Sequence, residues 1–253
     1  MLDTKNSVRS KDHPFDIDWM VEPFHWWFVV RRKLLRFLLS SIPFSEGSLA
    51  LDVGCGVGSN LAALTSMSFR VVALDLSFQA LSLAKKRHEC SFINADLTQL
   101  PFLPNTFGLI IATDILEHLE DDSAGIASLH RVLRDEGVLI LTVPAFRFLW
   151  GIQDRVTGHQ RRYSRQEIIN KLEQGGFEVL RSSYFNFFLF LPILLGRQAL
   201  RLIRPNIPSE NIINSPMINF LLKAIFSMEP VMLKYFSFPF GVSIFCIARK
   251  VQS

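Results

Sequence analysis

The run Leu51-Asp52-Val53-Gly54-Cys55-Gly56-Val57-Gly58 reads as an apolar strand entering a glycine-rich turn. A turn of glycines lets backbone amides approach a ligand closely. The next apolar run, Val71-Val72-Ala73-Leu74, ends in Asp75. A carboxylate at such a strand tip can accept hydrogen bonds from two ribose hydroxyls. Together these features call for a nucleoside-containing ligand lying across the carboxyl ends of a parallel sheet. The spacing departs from the nicotinamide fingerprint G-x-G-x-x-G, because Ser59 stands at the third glycine position. Further along, His118 and His159 offer imidazoles that could take a proton. In the segment Gly158-His159-Gln160-Arg161-Arg162-Tyr163-Ser164, the two arginines could grip phosphate or carboxylate and Tyr163 could donate a hydrogen bond.

The elements that must hold these residues alternate between strand and helix. Strands are expected over Leu49–Val53, Val71–Asp75, Ser91–Asn94, Phe107–Thr113, Val138–Val143, Phe177–Tyr184 and Val242–Arg249. The run Leu109-Ile110-Ile111-Ala112 is apolar throughout, as a strand buried on both faces requires. A crossover helix is expected after Gly58, and others over Gln79–Arg87 and Ser123–Arg134. Ser164 with Glu167 forms a capping box that starts another helix, which Gly175-Gly176 ends. This alternation implies right-handed crossovers and a doubly wound α/β sheet. An aromatic and basic helix spans Phe24 to Leu39, with Phe28, Leu35 and Leu39 at helical spacing.

At Asp52-x-Gly54-x-Gly56-x-Gly58 followed by Asp75, the chain resembles a class I S-adenosylmethionine (SAM) dependent methyltransferase of the type found in quinone biosynthesis and small-molecule methylation. The resemblance covers roughly residues 45–185 and the last strand. It implies a Rossmann-like seven-stranded methyltransferase sheet with helices on both faces. It also implies SAM as cofactor, with Asp52, Gly54, Cys55 and Gly56 around its methionine end, Asp75 on the ribose and Leu76 against adenine. Asp96 and the amide of Leu97 would contact the adenine edge, although Asp96 also reads as a helix N-cap. Thr113 would approach the methionine portion. Asp114-x-x-Glu117-His118 resembles the family segment that lines the methyl-transfer cleft, so Asp114 is expected near substrate. The Gly-His-x-Arg-Arg-Tyr segment resembles one in a bacterial subgroup linked to envelope or glycolipid chemistry. His118, His159 and Tyr163 are the candidate catalytic residues, with Arg161 and Arg162 as acceptor ligands. The sequence does not separate the two histidines as base. Nucleic acid is not expected as a substrate, because strand four is followed neither by an Asn/Asp-Pro-Pro-Tyr/Phe run nor by a Pro-Cys nucleophile. In the family, a helix like that at Phe24–Leu39 often covers the SAM site; a plain packing helix is the other reading.

The rest is less family-like. About fifty residues separate strand six from strand seven, where the family makes a short turn. They carry Phe185-Asn186-Phe187-Phe188-Leu189-Phe190-Leu191, then Arg197, Arg201 and Arg204, and later Phe220-Leu221-Leu222. This run is too short to span a bilayer. It suits a peripheral membrane contact through residues 185–204, an acceptor pocket, a lid or a dimer interface. The expected layout is a tail and aromatic helix at 1–44, the SAM-binding domain at 45–186, a hydrophobic helical insertion at 187–240, and the final strand at 241–253. The chain has 253 residues, a net charge of +4 and 23 phenylalanines. No basic block suggests a nucleic-acid tail. Three scattered cysteines fit a reducing cytoplasm better than a disulfide framework, and nothing in the sequence indicates a metal. The N-terminal charges Lys5, Arg9, Lys11, Asp12 and Asp16 precede no apolar signal core. The expected activity is methyl transfer to oxygen on a hydrophobic or lipid-linked acceptor. The alternatives are a soluble acceptor, or a non-catalytic partner subunit.

Overall fold

A computed structural model describes residues 14–203 and 215–251; Lys5, Arg9, Lys11, Asp12 and Arg204 lie outside the described residues. The continuous apolar run becomes β4 (Phe107–Thr113), in which Leu109, Ile110, Ile111 and Ala112 have no exposed surface. Such a strand must be covered on both faces, and this places it centrally. The sheet has seven strands in the order β3-β2-β1-β4-β5-β7-β6. Here β1 is Leu49–Val53, β2 Arg70–Asp75, β3 Ser91–Asn94, β5 Leu133–Pro144, β6 Phe177–Phe185 and β7 Ser243–Lys250. β7 runs antiparallel between β5 and β6, while the pairings among β1 to β5 are parallel. This is the Rossmann-like methyltransferase sheet. The chain winds one way from β1 to β3 and then returns to β4. That reversal opens a crevice at the carboxyl ends of β1 and β4.

Most boundaries shift by one or two residues from expectation, and two shift further. β5 begins at Leu133 rather than Val138, because Leu133 pairs with Phe107 before a register shift carries the ladder on to Leu109 and Val138. The intervening Arg134, Asp135 and Glu136 are exposed, so no apolar pattern announces them as strand. The helix after β2, Phe78–Ala84, stops short of Arg87.

Ten helices are described, α1 (Pro14–Val21) and α2 (Trp26–Ser40) preceding the sheet. α3 to α7 are Leu61–Thr65, Phe78–Ala84, Asp122–Val132, Ile152–Val156 and Arg165–Gln174. The segment before β7 supplies α8 (Phe190–Ile203), α9 (Pro216–Phe226) and α10 (Glu229–Met232). α2 and α9 join over the crevice. Trp27 stacks on Phe226 with centroids 5.8 Å apart and on Phe185 at 6.0 Å. Asn219 on α9 accepts from the Trp26 amide at 2.8 Å and donates to the Phe24 carbonyl at 3.0 Å, closing the free end of α2. The fully buried Glu229 accepts from the amides of Asn186 at 2.6 Å and Phe188 at 3.1 Å, fixing the exit of β6. Burial pushes that carboxyl up to about 7.

Candidate active site

A cavity of about 820 Å³ lies along the carboxyl edge of the sheet, roofed by α2 and α8–α9. Its floor comes from the loops after β1, β2 and β4 and from the N-terminal end of β7, which antiparallel pairing brings to the same edge.

One half is a cradle of backbone. Gly54, Gly56 and Gly58 hold φ of +67°, +53° and +93°, a region that side chains adopt only with strain. A Cβ on Gly54 would sit 2.7 Å from Ile115 Cδ1. A Cβ on Gly56 would meet nothing within 4 Å, because that face opens on the cavity. Asp75 Oδ2 accepts from the Gly56 amide and its Oδ1 from the Ser77 amide, both at 2.8 Å. The carboxylate thereby holds the glycine loop while lining the cavity, and burial raises its pKa. Cys55, Leu76 and Thr113 also line it. These features fit a nucleoside sulfonium such as SAM: open backbone, an acidic strand tip and an exposed apolar Leu76.

Asp52 is a correction. It is fully buried and is not among the cavity-lining residues. Its Oδ1 accepts from Asn60 Nδ2 at 3.1 Å, and the same amide donates to Thr113 Oγ1 at 2.9 Å. Asp52 thus acts behind the wall, orienting Asn60, and burial pushes its carboxyl up to about 7. Asp96 and Leu97 also lie off the cavity wall. Asp96 Oδ1 accepts from the Thr98 amide at 2.7 Å and the Thr98 hydroxyl at 2.8 Å, which is the N-cap alternative.

The other half is polar and crowded. Asp114 leaves β4 with φ +52° and pairs through Oδ2 with Arg31 at 2.6 Å. The 3-10 turn Leu116–His118 follows and puts Glu117 and His118 on the cavity wall. The loop before α7 brings His159 to face it, with the two imidazole centroids 4.7 Å apart and perpendicular. The Gln160 amide donates to the Glu117 carbonyl at 2.7 Å, tying the two loops. His159 Nδ1 lies 2.8 Å from Asp154 Oδ1. Asp154, fully buried on α6, also takes the Arg162 guanidinium fork at 2.7 and 2.9 Å and the Gly151 amide at 2.6 Å. Burial favours the protonated acid there. The hydrogen bonds from His159 and Arg162 overcome it and hold Asp154 below the usual carboxylate range. Burial, helped by the neighbouring His159, pushes His118 down to about 4, so this imidazole is neutral at physiological pH. Burial and Asp114 raise Glu117 well above its ordinary value.

Tyr163, Arg161 and Arg162 are further corrections. Tyr163 has no exposed surface, donates to Asp122 Oδ2 at 2.9 Å and does not line the cavity. Arg161 also lies off it, donating to the Glu120 carbonyl at 2.6 Å and pairing with Asp122 at 3.2 Å. Arg162 lines the cavity, but its guanidinium is spent on Asp154 and the Ala145 carbonyl. An alternating Arg-Arg-Tyr motif sends successive side chains to different places, and only their neighbours reveal which. Tyr163→Phe is expected to cost about 1 kcal/mol of stability, the worth of one hydrogen bond, and to leave kcat/KM unchanged. Thermal melts alongside turnover assays check this; a large drop in turnover with intact folding would return Tyr163 to the chemistry.

Several residues escaped sequence reasoning. Asn60 and Asp154 line the cavity, and no motif marked them; Arg197, one of the arginines noted in the insertion, lines it too. Asn186, buried and on the cavity wall, has neither side-chain polar atom hydrogen-bonded. Its φ is +60°, a turn that asparagine tolerates better than other residues with side chains. On α8, Arg197 donates to the Leu149 carbonyl at 2.5 Å and Arg201 to the Phe148 carbonyl at 3.0 Å, so these arginines dock the helix on the loop after β5.

Residues 51–141, which hold the glycine loop, Asp75 and the Glu117-His118 turn, match the family described as a methyltransferase domain. Residues 51–141 of the chain are thus similar to a methyltransferase domain. Over 124 residues it is 27% identical to the ubiquinone/menaquinone biosynthesis C-methyltransferase UbiE of Geotalea uraniireducens, covering 45% of this chain and 53% of that protein. Over 99 residues it is 33% identical to the malonyl-[acyl-carrier protein] O-methyltransferase of Hamiltonella defensa, covering 39% and 38% of the two chains. The chain therefore spans about half the length, or less, of these curated relatives. A solved Haemonchus contortus phosphoethanolamine N-methyltransferase 2, in complex with SAM, shares the fold. Its TM-score is 0.57 at 19% identity, over 87% of this chain and 52% of that one. A Haloferax volcanii complex between the Trm112 methyltransferase activator and a putative methyltransferase gives 0.63 at 16%, over 96% and 100%. The two curated relatives are named for methyl transfer to carbon and to oxygen. No helix among the described residues is long and apolar enough to cross a membrane.

Proposed function

We propose that the protein transfers a methyl group from SAM to an oxygen of a hydrophobic or lipid-linked acceptor. One observation carries this reading. A single cavity joins the glycine cradle and Asp75 to the His118–His159 pair, beneath a roof of Trp26, Trp27, Ile193 and Leu222. When bound, SAM supplies a sulfonium methyl: the acceptor's O–CH3 bond forms as the S–CH3 bond breaks, a neutral thioether leaves, and the acceptor's proton passes to the histidine pair. Gly54 and Gly56 hold the methionine end, and Asp75 holds the ribose. Thr113 faces the methionine end, steadied by Asn60 and Asp52. The apolar roof excludes water and aligns the acceptor, which is the main demand of an in-line displacement. His159, oriented by Asp154, is the better placed base, since burial leaves His118 a weak one.

The outer face of α8 supports a greasy acceptor or a lipid surface. Leu191, Leu195, Ala199 and Ile203 are exposed at a spacing of four, forming one stripe. On α9, Met217, Phe220 and Leu221 are exposed as well. Exposed apolar surface of this extent marks a contact. Arg161, Arg162 and Arg201 are committed to protein partners, so they do not call for an anionic group on the acceptor. The test is incubation with methyl-labelled SAM and a bacterial lipid extract. Label is expected in the organic phase, falling about 10²-fold or more in His159→Ala. Label confined to water-soluble products would move the acceptor to a soluble molecule and make the insertion a lid.

A further inference from the structure

Glu117 is hard to account for as a lone acid. It has no exposed surface, lines the cavity, and neither carboxyl oxygen has a hydrogen-bond partner. A buried, unpaired carboxylate is expected to find a proton or a cation. Two imidazoles stand beside it. One ligand atom from each of Glu117, His118 and His159 lies within 4.8 Å of the others, and His159 Nε2 is 3.8 Å from Glu117 Oε1. We propose that Glu117, His118 and His159 bind a divalent transition-metal ion, which holds the acceptor's oxygen beside the SAM methyl. The second half of this proposal rests on the methyltransferase reading above; the first half does not.

The surroundings are those of a ligand set. His159 Nδ1 is occupied by Asp154, so Nε2 is the nitrogen left for a metal. Asp154 is in turn fixed by the Arg162 fork, giving the carboxylate–histidine arrangement that orients metal ligands. His118 donates to the backbone carbonyl of Thr157, which orients the second ring. Asp114 is not needed as a ligand, being paired with Arg31 and Thr142. Metal bonds of about 2.1 Å in tetrahedral or facial geometry place the three ligand atoms roughly 3.0–3.4 Å apart, so the side chains must close by up to about 1.5 Å. Two imidazoles and one carboxylate favour Mn²⁺, Fe²⁺ or Zn²⁺ over Mg²⁺. Three protein ligands leave at least one position open to the cavity. An acceptor hydroxyl there would lose its proton more readily; with the metal bound, both histidines serve as ligands, in place of the base role given to His159 above, and the proton leaves through the open side of the cavity.

The experiment uses the full chain, stripped with EDTA and titrated with Mn²⁺ and, separately, Zn²⁺ by calorimetry, with electron paramagnetic resonance following Mn²⁺. One ion per chain is expected, with Mg²⁺ binding at least tenfold more weakly. Glu117→Gln, His118→Ala and His159→Ala should each weaken Mn²⁺ binding tenfold or more. The control Tyr163→Phe should bind Mn²⁺ as the parent does. SAM affinity, measured on the same samples, should stay within threefold. Absence of stoichiometric Mn²⁺ and Zn²⁺ binding by the parent overturns the proposal, and this needs no variant to fold. Equal metal binding by the parent and all three ligand variants overturns it too. Either result with SAM binding intact leaves the methyltransferase reading standing, with His159 as base. Loss of SAM binding by the parent, with metal bound, defeats that reading instead.

Discussion

Asp75→Ala is expected to weaken SAM binding at least 100-fold, about 3 kcal/mol. Two losses combine. The carboxylate contributes charge-assisted hydrogen bonds, each worth about 1.5–3 kcal/mol. It also accepts from the amides of Gly56 and Ser77, so its removal frees the glycine loop from its cradle geometry. Asp75→Asn should behave almost as badly. Both oxygens face backbone N–H groups, and whichever position the amide nitrogen takes then sets donor against donor. Calorimetric titration with SAM measures the effect, with thermal melts in the absence of SAM to separate binding from folding. A dissociation constant within threefold of the parent's in both variants would remove Asp75 from the cofactor site.

The second large effect is expected at Asp154. Asp154→Ala leaves the buried Arg162 without its counter-charge and His159 without its orienting acceptor. Breaking such a buried pair costs about 3–5 kcal/mol. For a chain of this size that lowers Tm by roughly 10 °C. Catalysis should fall as well, because His159 loses its fixed ring orientation. The pH dependence has a definite sign. Asp154 is held below its ordinary value in the folded state, so its stabilisation is complete above about pH 4 and is lost as pH falls towards the folded value. Melts across about pH 7 to pH 3 should therefore show the parent losing stability at the acid end more steeply than Asp154→Asn. Parallel curves for the two proteins would show that the Arg162–Asp154–His159 network carries no such linkage.

How much of this was legible depended on whether a residue's job was set by backbone or by neighbours. Strands β1, β3 and β4 were readable to the residue, because their apolar runs are bounded by polar or glycine turns. So was the capping box of α7, which closes through Ser164 and Glu167 as local geometry demands. The cavity-facing glycines and Asp75 follow from strand ends, and strand ends follow from pattern. Asp52 shows the limit. Its place in the motif is conspicuous, yet Asn60 stands between it and the cavity, and that arrangement depends on how α3 packs. Tyr163 fails for a similar reason: its hydroxyl finds Asp122 across the fold, 41 positions away in sequence. Asp154 could not be found at all, since a lone Asp in a short amphipathic helix has no pattern of its own. Its meaning appears only when Arg162 and His159 fold back on it.

The position of β7 sets a condition on how the protein is made. It follows every other strand of the sheet in the chain, yet it lies between β5 and β6, with Ser243 on the cavity wall. A chain leaving the ribosome therefore has β1 to β5 available early, while β6 waits without its neighbour. Until Ser243–Lys250 emerge, the edge of β5 is an unpaired apolar ledge and the cavity lacks one side. The nascent domain is then most exposed to mispairing, and ligand binding cannot begin until translation has passed β7.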